Sequence, residues 1–325
     1  MPRKRLIFLV VIKLNRAILC FVIALIYFYE NLELIQMVLT MKTRRIFMAL
    51  LLCLCTMAVG AQCKRALVFG LGEQEDKTWG KINGDKDIEY IVPMLQGAGY
   101  TDIVVLKNSE ATKAAMVGAF EAMAQRCAKG DVVYVHYSGH GQLMTDLDGD
   151  ELLKWSGRHA QWDEAWIPYD AYMLYCDKDK GEKHMCDDEV AALLAGIRKS
   201  IGKEGELMVV IDACHSGDAT CGDGMPPVRG IGIQFDIPRD GSVAKKSKPV
   251  EEQWLTVSAC RPYQLNVEMQ SVQAGKLTYA IHTLGIDVLD KDAAELQQEL
   301  ARFMDESKSV LPQSPVVSGT KKQGK

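Results

Sequence analysis

Two short apolar runs in this chain end in glycine-flanked reactive side chains, and that pairing restricts the fold more than any other feature. Residues 131–136 (Asp-Val-Val-Tyr-Val-His) lead into Tyr137-Ser138-Gly139-His140-Gly141, and residues 207–211 (Leu-Met-Val-Val-Ile) lead into Asp212-Ala213-Cys214-His215-Ser216-Gly217. Short apolar, β-branched runs of this kind read as strands buried on both faces, as in parallel sheets covered by helices. Further strands are expected at 65–71, 102–106 and 254–259, with helices at 85–97 (interrupted near Pro93), 110–127, 187–199, 277–287 and 292–305. Strands alternating with helices predict an α/β domain with a largely parallel sheet. Sites in such sheets lie beyond the carboxyl ends of the strands, where His140 and Cys214 both fall.

A cysteine and a histidine brought side by side supply a nucleophile and its base. A thiol at its ordinary pKa is only slightly ionised near neutrality, and an imidazole can take its proton and later protonate a leaving amine. The flanking glycines allow a peptide backbone to approach closely. The amides of Gly139 and Cys214 are candidates to hold a developing oxyanion. His136 lies within a strand and is expected to be packed; His215 neighbours Cys214 but should point away from it. A lone buried Cys or His is usually structural. It is the two together, each Gly-flanked and each after a strand, that favour chemistry.

At these residues the chain resembles the caspase-like cysteine peptidases of clan CD, and within family C14 the metacaspase-type branch, including secreted bacterial members. The resemblance extends through Asp146-Leu147-Asp148-Gly149-Asp150-Glu151 and Asp163-Glu164-Ala165-Trp166-Ile167-Pro168-Tyr169-Asp170. It resumes at Leu255-Thr256-Val257-Ser258-Ala259-Cys260 and at Gly275-Lys276-Leu277-Thr278-Tyr279-Ala280, covering roughly 64 to 306. It implies a caspase-like three-layer fold, a mostly parallel central sheet flanked by helices. It implies a cysteine endopeptidase with Cys214 and His140 as catalytic dyad. True caspases carry Gln-Ala-Cys-x-Gly at the nucleophile and a shorter His-to-Cys gap, so cleavage after Asp is not implied. Metacaspase-like enzymes cleave after Arg or Lys and carry an acid at the position of Asp212. Two residues before Cys214 on a strand, Asp212 faces the same side and could pair with a substrate guanidinium, with Ser138 adding a hydroxyl. A buried Asp bonded to loop amides is the alternative. A second pocket acid is expected near Asp85 or Asp87, without assignment to either.

Calcium often serves such enzymes, bound by acidic loops after the catalytic histidine. Asp146, Asp148, Asp150 and Asp163 are the candidates, and a solvated acidic loop is the competing reading. An EF-hand is excluded by count: from Asp146 as position 1, positions 6 and 12 fall on Glu151 and Gly157 rather than glycine and glutamate. The chemistry itself calls for no cofactor.

The amino-terminal 61 residues stand apart. Met41-Lys42-Thr43-Arg44-Arg45, the apolar stretch 46–57 and Val59-Gly60-Ala61 have the form of a signal peptide over 41–61, and export to periplasm or exterior is expected. Residues 1–40 are either a mis-assigned extension or a membrane segment; the apolar stretch 17–29 is short for a span. Without residues 1–61 the chain has 30 basic and 40 acidic residues, a formal charge near −10. That excludes a basic nucleic-acid surface and favours cationic substrates. The seven remaining cysteines can pair in an exported protein while leaving Cys214 out, with Cys176 and Cys186 the foremost pair. The mature part is expected to be monomeric and not membrane-spanning. Residues 62–217 form a large-subunit-like part and 254–306 a small-subunit-like part. Residues 218–253, rich in Gly, Pro, Lys and Arg, are a flexible connector with Arg229, Arg239, Lys245, Lys246 and Lys248 as possible processing sites. A polar tail follows over 307–325. Two other functions remain: a catalytically silent binding or regulatory protein on the same fold, and a peptide ligase using the same dyad.

Overall fold

The structure is a computed structural model and describes residues 24–25, 62–149, 162–214, 227–238, 250–261, 264–306 and 312–322. Internal contacts divide the chain into Met1–Ala61 and Gln62–Lys325, and the elements below belong to the second unit. Its helices are α1 (Ile88–Gly97), α2 (Lys113–Arg126), α3 (Asp187–Ile201), α4 (Lys276–Leu284) and α5 (Ala293–Glu306). The main sheet contains β1 (Lys64–Gly70), β2 (Asp102–Lys107), β3 (Val132–Ser138), β7 (Glu206–Asp212), β8 (Leu255–Ser258) and β11 (Val316–Gly319). Between β3 and α3 lies a small antiparallel sheet of β4 (Gly141–Thr145), β5 (Trp162–Trp166) and β6 (Met185–Cys186). A short ribbon pairs β9 (Glu268–Met269) with β10 (Ala274–Gly275).

The main sheet runs β11-β8-β7-β3-β1-β2, parallel except for β11. Alternation along its strands builds two cores. Ala66, Val68, Tyr134, Met208, Val210 and Val257 face α1, α4 and α5 through Ile91, Leu95, Leu277, Ile281, Leu296 and Leu300. Leu67, Phe69, Val133, Val135, Tyr137, Leu207 and Val209 face α2 and α3 through Met116, Phe120, Val190, Leu194 and Ile197. Both faces are covered, so the central strands read as continuous apolar runs, and the expected three-layer α/β fold is present.

Several elements differ from the sequence reading. Helix α1 starts at Ile88, because Asp87 directs its carboxylate into the interior instead of beginning the helix. Pro93 lies inside α1 without ending it. The stretch expected as a tail supplies β11, paired antiparallel with β8 from Val316↔Ser258 to Gly319↔Leu255. Within the expected connector, residues 227–238 are docked: Phe235 is buried and bridges Met144, and Gly230 bridges Gly141. Cys176 and Cys186 are not joined. Cys176 is tied into a turn with Asp179, while Cys186 caps α3, each held by its own backbone. Among the described residues no helix is long and apolar enough to cross a membrane. The leader's proposed cleavage site and nearly all of its apolar stretches lie outside the described residues.

Candidate active site

Strands β3 and β7 are adjacent and in parallel register, with Ser138 opposite Asp212. His140 and Cys214 each follow by two residues, so both leave the sheet at one edge, and both are almost fully buried. The imidazole is held on two sides. Its Nε2–H donates to the Gly80 carbonyl at 2.7 Å, and the Trp79 ring lies 5.0 Å away, centroid to centroid, tilted by 32°. A carbonyl can only accept, so the proton is on Nε2 and Nδ1 carries the lone pair. Nδ1 is buried and takes no hydrogen bond. Burial pushes the His140 pKa down to about 4, against the contribution of the Gly80 carbonyl, so the ring is neutral at pH 7. Sequence reasoning found no carboxylate to orient this ring; a backbone carbonyl and an indole do so instead. The Cys214 thiol donates to the Gln264 carbonyl at 2.9 Å. Cys260 donates to that same oxygen at 3.4 Å, and its pKa is pushed up by the neighbouring Cys214 and by burial.

Two amides converge on one oxygen beside this pair. The Cys214 amide donates to the Arg229 carbonyl at 2.7 Å and the Gly141 amide at 3.3 Å. The second amide is thus that of Gly141, where the sequence reading placed Gly139. Gly139 is the turn residue between β3 and the imidazole, and its open position lies against the Tyr137 ring, where a Cβ would stand 2.8 Å from Oη. The Gly141 amide opens β4 and faces the docked segment.

The Arg229 side chain is fully buried in an acidic pocket. Nη1 donates to Asp87 Oδ2 at 2.6 Å, to Ser138 Oγ, and to the Asp212 carbonyl at 3.3 Å. Nε donates to Glu268 Oε1 at 3.0 Å; Nη2 stands 3.0 Å from the same oxygen without the alignment of a hydrogen bond. Asp212 Oδ1 is 3.6 Å from Nη1. The acids are themselves fixed. Asp212 accepts from Asn266 Nδ2 at 2.7 Å and, on Oδ2, from the Thr278 amide and hydroxyl at 2.8 and 2.7 Å, at the start of α4. Asp87 Oδ1 accepts from the Gly275 amide at 2.9 Å. A Cβ on Gly275 would stand 2.2 Å from Asp212 Oδ2 and 2.4 Å from Arg229 Nη1, so only glycine lets the backbone come this close. Asn83 holds Glu268 through its amide at 2.6 Å and through its side chain.

Electrostatics follow from this crowding. Burial pushes the Asp212 carboxyl up, but Arg229 and the donors from Asn266 and Thr278 outweigh it and the pKa is lowered. Asp87 is net raised by burial, which Arg229 only partly offsets. Burial opposes the Arg229 charge, yet Asp87, Asp212 and Glu268 together push its pKa up. Three carboxylates around one cation make a pocket built for a guanidinium.

Asp212 and Ser138 therefore meet at one cation, joined by Asp87 and Glu268. Asp85 is elsewhere, with Lys107 and Asn108 as partners. His136 is fully buried between Tyr134 Oη at 3.0 Å and Thr278 Oγ1 at 3.2 Å, a packed residue. Glu268, Trp79, Gly80 and Gln264 carry no motif that would have marked them. Of the acidic loop, Asp146 accepts from the Gly149 amide at 2.6 Å, and Asp163 lies on β5 opposite Met144. Among the described residues no three His, Cys, Asp or Glu side chains gather to hold a metal. Asp150 and His215 lie outside the described residues.

Comparison with known proteins gives the same lineage. Metacaspase-1A of Aspergillus niger is 29% identical over 164 residues, 48% of this chain and 36% of that protein. Metacaspase-1 of Ajellomyces capsulatus is 30% identical over 169 residues, 48% of this chain and 41% of that protein. The chain thus spans well under half the length of these curated relatives. In fold it is similar to protein GSU0716 from Geobacter sulfurreducens, with a TM-score of 0.55 and 23% identity over 80% of this chain and 95% of that one. The caspase-domain model of peptidase family C14 matches residues 63–322, and the chain belongs to that family.

Proposed function

We propose that this protein is a cysteine endopeptidase that cuts peptide bonds after Arg or Lys, with Cys214 as nucleophile and His140 as general base and acid. Family membership supports a cysteine peptidase of this kind. The observation that carries the specificity is the burial of the Arg229 side chain among Asp87, Asp212 and Glu268 while its carbonyl rests on the Cys214 amide. A peptide bound this way puts a basic side chain in the pocket and the next peptide bond at the thiol.

In this reading His140 Nδ1 takes the thiol proton after the Cys214 side chain rotates away from Gln264. The sulfur adds to the carbonyl carbon, and the Cys214 and Gly141 amides hold the oxyanion. The imidazolium then protonates the leaving amine, and water resolves the thioester. The Gly80 carbonyl holds the ring in the required tautomer throughout. Burial of the imidazole disfavours the charged intermediate form, so its lifetime depends on the nearby thiolate.

The test is hydrolysis of short reporter peptides ending in Arg or Lys, with Cys214→Ala as control. Turnover in the native chain and none in the variant is expected; equal turnover would remove Cys214 from the mechanism. The proposal includes export, a monomeric mature chain acting on protein substrates, and calcium stimulation through the acidic loop. Activity unchanged by chelation after thorough metal removal would end the calcium part.

A further inference from the structure

We propose that Cys260 is the resolving thiol of Cys214: a hydroperoxide oxidises Cys214, and an intramolecular Cys214–Cys260 disulfide then shields that sulfur until an external thiol opens it. The inference goes beyond the peptidase reading, since it stands on two sulfurs and not on what the site cuts. Three features carry it. The first is the register. Strands β7 and β8 are parallel neighbours whose last pair is Ile211↔Ser258, and the Ala259 amide donates to the Ile211 carbonyl at 3.0 Å. Cys214 lies three residues past that pair on one strand, and Cys260 two residues past it on the other. Adjacent strands run about 4.8 Å apart, a spacing that a disulfide can bridge.

The second feature is the shared acceptor. Cys214 Sγ donates to the Gln264 carbonyl at 2.9 Å and Cys260 Sγ to the same oxygen at 3.4 Å, so the two sulfurs converge on one atom. Both are buried thiols. Cys260 Sγ also stands 4.0 Å from the Ala213 carbonyl, on the strand that carries the nucleophile. Gln264 is only half-buried, so the pair lies close to solvent. The third feature is how the resolving thiol is kept idle. The neighbouring Cys214 sulfur is the foremost cause that keeps the proton on Cys260, ahead of burial. Oxidation of Cys214 removes that cause, so Cys260 is released for attack by the same event it answers. Cys127 lies beside Arg65 and Asp131, and Cys186 beside Asp163 and Asp187; they have ionic neighbours where Cys260 has a thiol.

The steps balance with two co-reactants, a hydroperoxide as oxidant and a low-molecular-weight thiol as reductant. With its proton on His140, the Cys214 thiolate attacks the hydroxyl oxygen of the peroxide. An S–O bond forms and the O–O bond breaks. The leaving alkoxide or hydroxide takes the proton from His140, giving Cys214 sulfenic acid and an alcohol or water. Cys260 then attacks the sulfenyl sulfur. The S–S bond forms, the S–O bond breaks, and hydroxide leaves with the Cys260 proton as water. Two thiols have lost two electrons to one peroxide. Two equivalents of external thiol restore both cysteines by exchange through a mixed disulfide and leave as their own disulfide. Without Cys260 the sulfenic acid meets further peroxide and passes to sulfinic and sulfonic acids, which thiols do not reverse.

The experiment treats the reduced, purified full chain with hydrogen peroxide at neutral pH. It reads peptide mapping without reduction, and reporter turnover before and after dithiothreitol. In the native chain mapping should show a Cys214–Cys260 cross-linked peptide, turnover should stop as the link forms, and dithiothreitol should restore it. Cys260→Ser should form no such link and should yield a dimedone adduct on Cys214. After reduction it should recover roughly tenfold less turnover than the native chain, because the higher sulfur acids persist. Cys260→Ala should read the same, and keeps the test sharp if serine disturbs the buried site. A Cys214 link to another cysteine or to a second chain overturns the inference; Cys221, which lies outside the described residues, is the partner to check first. Full recovery of a folded Cys260→Ser or Cys260→Ala chain overturns it as well, and so does a native chain that passes straight to sulfinic acid. A Cys214–Cys260 link in a folded chain that never turned over reporter overturns the peptidase reading and leaves this inference standing.

Discussion

Ser138 on β3 and Asp212 on β7 are register partners, and both contact the guanidinium of Arg229, Ser138 through its hydroxyl and Asp212 through its carbonyl. One pair of parallel strands thus sets the pocket with its last residues and the His140–Cys214 pair two positions later. Pocket and nucleophile cannot drift apart, because both ride on the same ladder.

Neutralising an acid of this pocket should damage binding and folding together. Asp212→Asn leaves Arg229 with less compensation in a buried site, and breaking a buried pair typically costs about 3–5 kcal/mol. The asparagine also cannot accept from Asn266 and Thr278 as the carboxylate does. We expect a clear drop in thermal midpoint and a loss of at least ~100-fold in kcat/KM on Arg reporters. A double variant with Arg229→Gln should recover part of the stability, because the unpaired cation is gone, but none of the Arg turnover.

Glu268 should set the choice between Arg and Lys. Its carboxylate meets Nε, an atom lysine lacks, whereas Asp87 and Ser138 meet the tip of the side chain, which lysine could share. Glu268→Gln should lower kcat/KM for Arg reporters by roughly 10-fold, about the value of one charge-assisted hydrogen bond, and change Lys reporters less. Equal losses on both would assign Glu268 to holding the loop at Asn83 instead.

The largely parallel sheet and the places of His140 and Cys214 at its edge were legible because they depend on strands of uninterrupted apolar residues followed by glycine-flanked motifs, whereas the strand order was not. Asp212 was legible because period two ties it to Cys214. Asp87 was legible only as one of two candidates beside Asp85, and Glu268 was not legible at all. Both reach the pocket from over 50 residues away in sequence from Cys214 or His140, and nothing local to such an acid says which way it points. The partner of His140 was hidden for another reason: a backbone carbonyl has no residue type, so Gly80 left no trace. The docked stretch 227–238 looked like a connector because its anchors, Val228, Arg229 and Phe235, are too few to make a period. Its hold comes instead from backbone bridges and one buried cation.

His140 should stay neutral well below the usual imidazole range. Burial sets its pKa to about 4 from an ordinary 6.5. A group whose folded pKa is depressed gives stability that is present above the unfolded pKa and lost as pH falls toward the folded one. For His140 that window is pH 6.5 down to about 4, and the full shift is worth roughly 3 kcal/mol. Imidazole NMR resonances of His140 should keep the neutral, Nε2-protonated pattern through pH 5. His140→Ala should flatten the fall in stability between pH 6.5 and 4 relative to the native chain. An imidazole that titrates near 6.5 would mean that water reaches Nδ1.

Cys260 should stay unreactive while sharing its acceptor with the nucleophile. Both thiols lie on the Gln264 carbonyl, and the neighbouring Cys214 together with burial raises the pKa of Cys260. A haloacetamide at neutral pH should therefore label Cys214 and leave Cys260 as the thiol, read by peptide mass mapping. Preferential labelling of Cys260 would reverse the assignment of the two sulfurs.

The segment leading into β11 supports the pocket through a relay of amides, which makes Gln313 a sensitive position. Gln313 Nε2 donates to Asn266 Oδ1 at 2.8 Å, and its Oε1 accepts from the Val267 amide at 3.2 Å. Asn266 in turn donates to Asp212 Oδ1, and its carbonyl accepts from the Arg229 amide. Gln313 is buried, so removing its amide leaves Asn266 Oδ1 and the Val267 amide without these partners away from water. Each such group costs about 1–3 kcal/mol. Gln313→Ala should lower stability by a few kcal/mol and raise KM for Arg reporters more than it lowers kcat, because it loosens the strand on which the peptide docks and leaves His140 and Cys214 in place. Gln313→Glu should restore the bond to the Val267 amide but set a carboxylate against Asn266 Oδ1, giving an intermediate KM. A Gln313→Ala chain with native KM and stability would show that the last strand merely closes the sheet edge.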